Sequence, residues 1–374
     1  MTKTQFNLSQ IEETAIFDTI TETPVPIDTL FDILAFRRSD GSEGELEMIN
    51  KYIVPLHPYV DGFGNMLVTV PNGGTPPNIA FTSHTDTVHR DTSSRVTPSY
   101  YSRLPDLLPD LGTRQDIVYE QDGLILAKPS TQKDGQCLGA DDGTGIWIML
   151  NMISAGIPGL YCFFRDEESG RIGSEWSVSN TPEYYVDIDI MISFDRAGCT
   201  DVITHQMGSR CCSDEFAWSL SGLIATNYMT PDPTGSFTDS CSFMDTIPEC
   251  TNISVGYDSQ HSSYETQDLT WVSWLVTQLI AADWTTLPIS RDPSQVPAWS
   301  VNSLDDSPAM INTVTAFPVA IADILEEYYG ISVDNILEDL TDYYGVTRDN
   351  VVDRIEHIYL EEDADNPSNW KDWL

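Results

Sequence analysis

The sequence predicts an α/β protein built on a largely parallel, covered sheet, with a small helical appendage at its C-terminus. Short apolar stretches at 79–84, 160–164 and 186–194 alternate with apolar segments of helical length at 143–155 and 270–284. Strands without polar alternation belong to sheets covered on both faces. Carboxylates and histidines recur just after those short stretches, and residues 326–340 are echoed by 341–355.

In chain order, residues 29–54 carry helical patterning at both ends, with a polar interruption at 37–44. "DGFGNMLVTV" (61–70) reads as a turn and a strand, since glycine and asparagine tolerate the positive φ of tight turns. Residues 71–77 form a loop, and the next strand ends in His84. The stretch 90–135, rich in Pro, Ser, Asp and Tyr, reads as an insertion of little periodicity. A helix follows over 143–155, then strands at 160–164 and 186–194. In the closing helix, Trp271, Trp274, Leu275 and Leu279 fall at helical spacing, which core packing explains.

The tail is read separately. "EEYYGISVDNILEDL" and "TDYYGVTRDNVVDRI" repeat at a spacing of 15 residues. Gly330 or Gly345 ends one helix, and Ser332 or Thr347 caps the next. The expected division is an α/β domain over 1–287, a linker over 288–307 and a helical module over 308–374. The repeat alone leaves open whether that module packs on the domain, mediates oligomerisation or binds a partner.

Composition bounds the function. At 374 residues with 41% hydrophobic content, the chain has ample core. Its 58 acidic against 18 basic residues give a net charge of −40, which argues against a nucleic-acid surface, because phosphate contacts need clustered Lys and Arg. A solvated acidic shell explains the charge. The seven cysteines lack a paired framework, and Met1 to Asn7 does not read as a signal peptide, so reduced thiols in the cytoplasm are expected. Adjacent Cys211 and Cys212 read as buried thiols without a role, in preference to a redox or metal pair. No apolar run reaches the roughly 18–20 residues of a membrane span, so neither membrane nor nucleic acid is an expected partner.

Chemistry concentrates in five motifs. "SHTDTV" (83–88) holds His84 and Asp86; "LGADDGTG" (138–145) holds Asp141 and Asp142; "FFRDEESGRIGS" (163–174) holds Glu167 and Glu168. "SFDRAG" (193–198) holds Asp195, and "NISVGYDSQHSSYETQD" (252–268) holds His261. Singly, each has a plain explanation, such as a helix cap at 141–142 or a solvated acidic loop at 166–168. Together they place two histidines and several carboxylates where α/β sheets bind ligands, outside the carboxyl ends of the strands. That donor set suits one or two divalent ions with an open position. Neighbouring Glu167 and Glu168 point in different directions on an extended segment, so one could hold metal while the other does acid-base work.

The order H-x-D, G-A-D-D-x-x-G, D-E-E-x-G-x-x-G-S, a later Asp and a final His resembles the co-catalytic zinc exopeptidases, among them tripeptidase T, glutamate carboxypeptidase and the lid-less zinc aminopeptidases. The similarity runs from Asp61 to Asp268 and includes "DGFGNMLVTV" and "DGLILAKPSTQKDGQCLGADDGTG". It implies a three-layer fold, a mixed and mainly parallel sheet with helices on both faces. It further implies His84 and Asp195 on one zinc, Glu168 and His261 on the other, and Asp141 bridging them. Asp86 would orient His84 through its second ring nitrogen, and Glu167 would be the general base. Cobalt or manganese could replace zinc.

Two departures bear on specificity. His261 follows Asp195 by 66 positions, too few for the lid domain that some members insert there, so no lid is expected. Gly143 stands where the tripeptidases usually carry lysine. With lid residues absent, Arg196 is either a substrate or oxyanion contact or the partner of a nearby acid. "TGSFTDSCSF" (234–243) resembles the substrate-side loop of lid-less aminopeptidases, so Asp239 and Ser240 are substrate candidates, Asp239 suiting a free amino group. His89 and His205 are read as ordinary polar residues, His89 on a surface loop.

The expected activity is metal-dependent exopeptidase action on small peptides, most simply as an aminopeptidase. An amidohydrolase of N-acyl amino acids or small amides is the first alternative. A non-catalytic binding or structural protein that keeps the fold is the second.

Overall fold

The computed structural model describes residues 23–73, 77–89, 112–121, 125–129, 137–225 and 228–294. The helical repeat and the 308–374 module lie outside the described residues, as do 90–111 of the insertion. The described elements begin with α1 (Ile27–Leu34), α2 (Glu43–Tyr52), β1 (Tyr59–Val60), β2 (Met66–Val70) and β3 (Ile79–His84). Next come β4 (Ile117–Gln121), β5 (Ile125–Pro129), α3 (Ala140–Ser154), β6 (Gly159–Phe164), α4 (Ile172–Asn180) and β7 (Ile190–Arg196). They continue with β8 (Asp201–Ile203), β9 (His205–Gln206), β10 (Ser209–Arg210), α5 (Asp214–Ala225), β11 (Thr230–Asp232) and β12 (Glu249–Ser254). The series closes with β13 (Tyr257–Asp258), β14 (Thr266–Asp268) and α6 (Leu269–Ala281).

Eight strands form the main sheet in the order β1-β2-β6-β3-β7-β12-β8-β11. Its centre is parallel, β3 pairing with β6 and β7, and β7 with β12. The pairs β1–β2, β2–β6 and β12–β8 are antiparallel, which makes the sheet mixed but mainly parallel. β3, β6 and β12 are buried along their whole length, as strands covered on both faces must be.

The alternation of side chains along each strand builds two separate cores. Phe81, Tyr161, Phe163, Ile192 and Phe194 pack in one cluster with Leu30, Trp147, Phe216 and Trp271 of helices α1, α3, α5 and α6. Ala80, Leu160, Cys162, Phe164 and Met191 face the opposite cluster, with Tyr185 and Phe243. The sheet is therefore the middle layer of three. The interval from Asp195 to His261 is spent on β8 to β13 and α5, which belong to the sheets or pack on them, so the described residues there contain no lid.

The insertion is not wholly irregular. β4 and β5 pair antiparallel and join β14 and β13 in a second, four-stranded sheet. Five-residue strands with polar members give too few alternations to stand out among the surrounding turn residues. At the far end, Ser290 and Arg291, within the stretch assigned to the linker, donate their backbone N–H groups to Glu249 Oε1 at 2.7 and 2.9 Å. Among the described residues, no helix is long and apolar enough to cross a membrane.

Candidate metal centre

His84 ends β3, Asp195 lies near the end of β7, and Glu167 and Glu168 occupy the turn after β6. Three parallel strands thus deliver their polar residues to one edge of the sheet, where the covered apolar stretch stops. Asp141 opens α3 ahead of its helical part, with φ/ψ of −80°/103°, and His261 projects from the turn between β13 and β14 with φ 60°.

These side chains meet. His84 Nε2 lies 3.0 Å from Asp141 Oδ1 and 3.7 Å from Asp195 Oδ1. His261 Nε2 lies 3.1 Å from Asp141 Oδ2 and 3.0 Å from Glu168 Oε2. Two triads result, His84–Asp141–Asp195 and Asp141–Glu168–His261, each with its candidate ligand atoms all within 4.8 Å of one another. Asp141 turns one oxygen to each. Imidazole nitrogens with carboxylate oxygens, three protein donors to a side, are a donor set that fits a pair of divalent ions sharing one carboxylate.

The electrostatics point the same way. Burial pushes the Glu168 carboxyl up to about 7, with the Asp141 charge adding to it. Asp195 moves upward for the same two reasons. Burial lowers the pKa of His261, but its hydrogen bonds to Asp141 and Glu168 outweigh that and raise it to about 11. Burial likewise works against His84, whose contacts with Asp141, Asp195 and Asp86 carry it well above its usual value. Converging carboxylates demand positive charge, and imidazolium protons supply it where the donor atoms face one another.

Asp86 does more than orient an imidazole. His84 Nδ1 lies 3.1 Å from the Asp86 main-chain oxygen and 3.4 Å from its carboxylate. The same carboxylate accepts the N–H groups of Glu167 and Glu168, both at 3.1 Å. One buried acid therefore fixes the loop carrying the proposed base and a ligand. The Glu167 carboxyl, also buried, belongs to neither triad and is pushed well up by burial, with Asp195 and Asp239 reinforcing the shift against His84.

Asp142 is the cap that an acidic turn suggests. Its carboxylate accepts from Gly145 N and from His84 N, both at 3.1 Å. Gly143 lies against Arg38: a Cβ there would come 2.7 Å from Arg38 Nη2, so the lysine of the tripeptidases does not fit without displacing that guanidinium. Arg38 is itself fully buried and donates to the carbonyls of Thr85 and Gly139, joining the His84 and Asp141 segments from behind.

Several supporting residues escape a reading by motif. Glu265 is fully buried and accepts from Gly139 N at 2.9 Å and Asp141 N at 3.0 Å. Asn252 accepts from Asp195 N at 2.9 Å and donates to Asp195 O at 2.6 Å. The Tyr257 hydroxyl donates to Asp195 Oδ1 at 2.9 Å, and burial together with the Asp141 and Asp195 charges keeps it a phenol. Tyr257→Phe is expected to weaken cation binding on the His84–Asp195 side by about 10- to 100-fold, the usual cost of losing a partner of a ligand. Competition against a chromophoric chelator measures this, and an unchanged affinity would remove Tyr257 from the site's support.

The remaining candidates separate. Asp239 opens a short 3₁₀ helix (Asp239–Phe243) and is 1% exposed, with Oδ1 lacking a hydrogen-bond partner among the described residues. Burial raises its carboxyl to about 7, with His84 opposing and Asp195 and Asp86 reinforcing the shift. Ser240 is structural: its Oγ donates to Thr251 O at 3.1 Å and accepts from Gln206 Nε2 at 3.0 Å. Arg196 is paired with Asp201 at 3.0 Å and donates to Thr234 at 3.2 Å, the second of its two sequence readings. His89 is no surface residue: it is 4% exposed, accepts from Arg38 N at 3.3 Å, and burial beside Arg38 lowers its pKa to about 3. Its neighbours in sequence give no sign of the contacts supplied from a distance by Arg38, Gln115 and Cys137.

No protein-family model and no curated protein sequence matches the chain. Solved structures do. The chain resembles PhTET1-12s, described as a dodecamer, with TM-score 0.50 and 16% identity over 69% of this chain and 98% of that one. It also resembles the aminopeptidase PepT of Bacillus cereus (TM-score 0.49, 14% identity, 68% and 96% covered). A tripeptidase of Staphylococcus aureus gives TM-score 0.48 and 13% identity, with 68% and 95% covered. At 16% identity what the chain shares with PhTET1-12s is the fold, which spans nearly the whole of that chain.

Proposed function

We propose that the chain is a metal-dependent exopeptidase that removes N-terminal residues from small peptides. The observation that carries this reading is the pair of triads sharing Asp141, with the carboxyl of Glu167 beside them and belonging to neither. Fold similarity to proteins described as aminopeptidase and tripeptidase agrees with it.

His84, Asp141 and Asp195 would hold one divalent ion, and Asp141, Glu168 and His261 the other, zinc being the best match to these donors, with cobalt or manganese able to replace it. Such ions, when bound, lower the pKa of water and polarise a carbonyl. Glu167 takes the proton of the attacking water and returns it to the leaving amine. Burial pushes its carboxyl upward, which makes the carboxylate a stronger proton acceptor than a solvated glutamate. Asp86 holds the Glu167 backbone in register, so the segment carrying the base stays in place while its charge changes. Asp239, buried with an unpartnered oxygen, accepts the free α-ammonium of the substrate. That last assignment favours an aminopeptidase over a deacylase, since an acylated nitrogen carries no charge to offset Asp239.

A panel of di- and tripeptides, amino-acid amides and N-acetyl amino acids, run with the zinc-loaded and the chelated protein, tests this. Release of N-terminal residues from free-amine substrates is expected, abolished by chelation. Cleavage of the acetylated compounds alone would shift the assignment to an amidohydrolase. Firm cation binding with no turnover on any of them would leave a binding protein that keeps the fold.

A further inference from the structure

We propose that Arg171, laid over Phe237, receives a carboxylate of the substrate; this rests on the peptidase reading and adds to it a charge requirement. The guanidinium carbon stands 5.1 Å from the centroid of the Phe237 ring. Each partner comes from a loop that already carries a site residue. Arg171 N donates to Glu167 O at 2.8 Å, closing the turn that presents the base, and Phe237 lies two positions before Asp239. Ser174 Oγ, 3.2 Å from Arg171 O and 3.0 Å from Ser242 Oγ, ties those loops together. The Arg–Phe pair therefore joins the loop that carries the proposed base to the loop that carries the proposed amine acceptor.

The other guanidiniums near these loops are committed to interior or local partners. Arg38 is fully buried and serves two carbonyls, Arg165 pairs with fully buried Glu45 at 2.8 Å, and Arg196 pairs with Asp201. Among the described residues Arg171 instead has a single ion-pair partner, Glu175 at 2.9 Å, whose side chain is 54% exposed, and its buried Nε lacks a hydrogen-bond partner there. An exposed i,i+4 pair is weak and yields readily to a better acceptor. Phe237 is 38% exposed and the Arg171 side chain 18%, so part of the stacked fork is reachable from solvent. A planar guanidinium held on an aromatic ring is pre-organised for bidentate carboxylate binding. In a chain of net charge −40, an anionic substrate approaching this acid-lined edge is repelled unless a cation is placed to meet it.

Two substrate carboxylates share this chemistry: the side chain of an N-terminal Asp or Glu, and the free C-terminus of a short peptide. The zinc-loaded parent and Arg171→Gln are compared on trialanine against trialanine amide, and on glutamyl- against alanyl-p-nitroanilide. Loss of the arginine is expected to reduce one of these kcat/KM ratios by about 10- to 100-fold, a change of about 1.4 to 2.8 kcal/mol. The ratio that falls identifies the carboxylate. If both ratios stay at their parental values, Arg171 does not read a carboxylate. Calorimetry in the Glu167→Gln background, using the same acid and amide peptides with and without Arg171→Gln, reads the preference without turnover. A preference for the acid that Arg171→Gln erases supports the assignment even if the parent hydrolyses nothing, whereas equal binding of acid and amide overturns it.

Discussion

Glu167→Gln is expected to lower peptide hydrolysis by about two to four orders of magnitude while leaving cation content unchanged. The glutamine keeps the backbone N–H that Asp86 accepts and nearly the same volume, so the turn after β6 has no reason to move. Because the Glu167 carboxyl belongs to neither triad, its replacement removes no ligand. What disappears is a carboxyl that belongs to neither triad and is pushed upward by burial, hence the proposed capacity to carry a proton from water to amine. Elemental analysis beside steady-state rates separates the two effects. A variant as fast as the parent would refute the role, and one that lost its cations would make Glu167 a ligand.

Asp141→Asn should be more disruptive to binding than any other single replacement at the centre. Each Asp141 oxygen faces a different histidine, at 3.0 and 3.1 Å, so one residue belongs to both triads. An amide offers one oxygen and no charge, and leaves the buried imidazole of His84, the exposed one of His261 and two carboxylates without their common partner. Cation affinity should fall by more than about 100-fold on both sides, beyond the 10- to 100-fold typical of losing an outer partner, and hydrolysis should reach background. Asp195→Asn supplies the contrast, since it touches only the His84 side. Titration of both variants against a chelator decides the point: if Asp141→Asn still binds as Asp195→Asn does, the carboxylate is not shared.

The architecture was legible because β3, β6 and β7 are short, apolar and followed at once by charged residues, a pattern that a covered parallel sheet produces and a surface strand does not. The same abruptness exposed His84, Glu168 and Asp195 as candidates. Glu265, Asn252 and Tyr257 stayed hidden for a physical reason. They act on the site by hydrogen bonds to backbone groups or to another side chain, across separations such as the 124 positions between Asp141 and Glu265, and no local spacing encodes that. Asp86 was half legible: H-x-D suggests a partner for the ring, but its hold on the Glu167–Glu168 backbone depends on how β3 lies beside β6. Arg38 sits in a segment that reads as a polar interruption between helices, and only its burial shows that it joins two loops.

The order of the ligands along the chain governs how this protein is made. His261 comes late, and its partners Asp141 and Glu168 are synthesised well before it, so the second triad cannot close while the polypeptide is still short of that residue. Until His261 is made, Asp141 and Glu168 lack the imidazole that faces both of them. Under the proposed reading, filling of the second triad is then a maturation event that follows synthesis of His261, and the filled fraction depends on the divalent-ion supply.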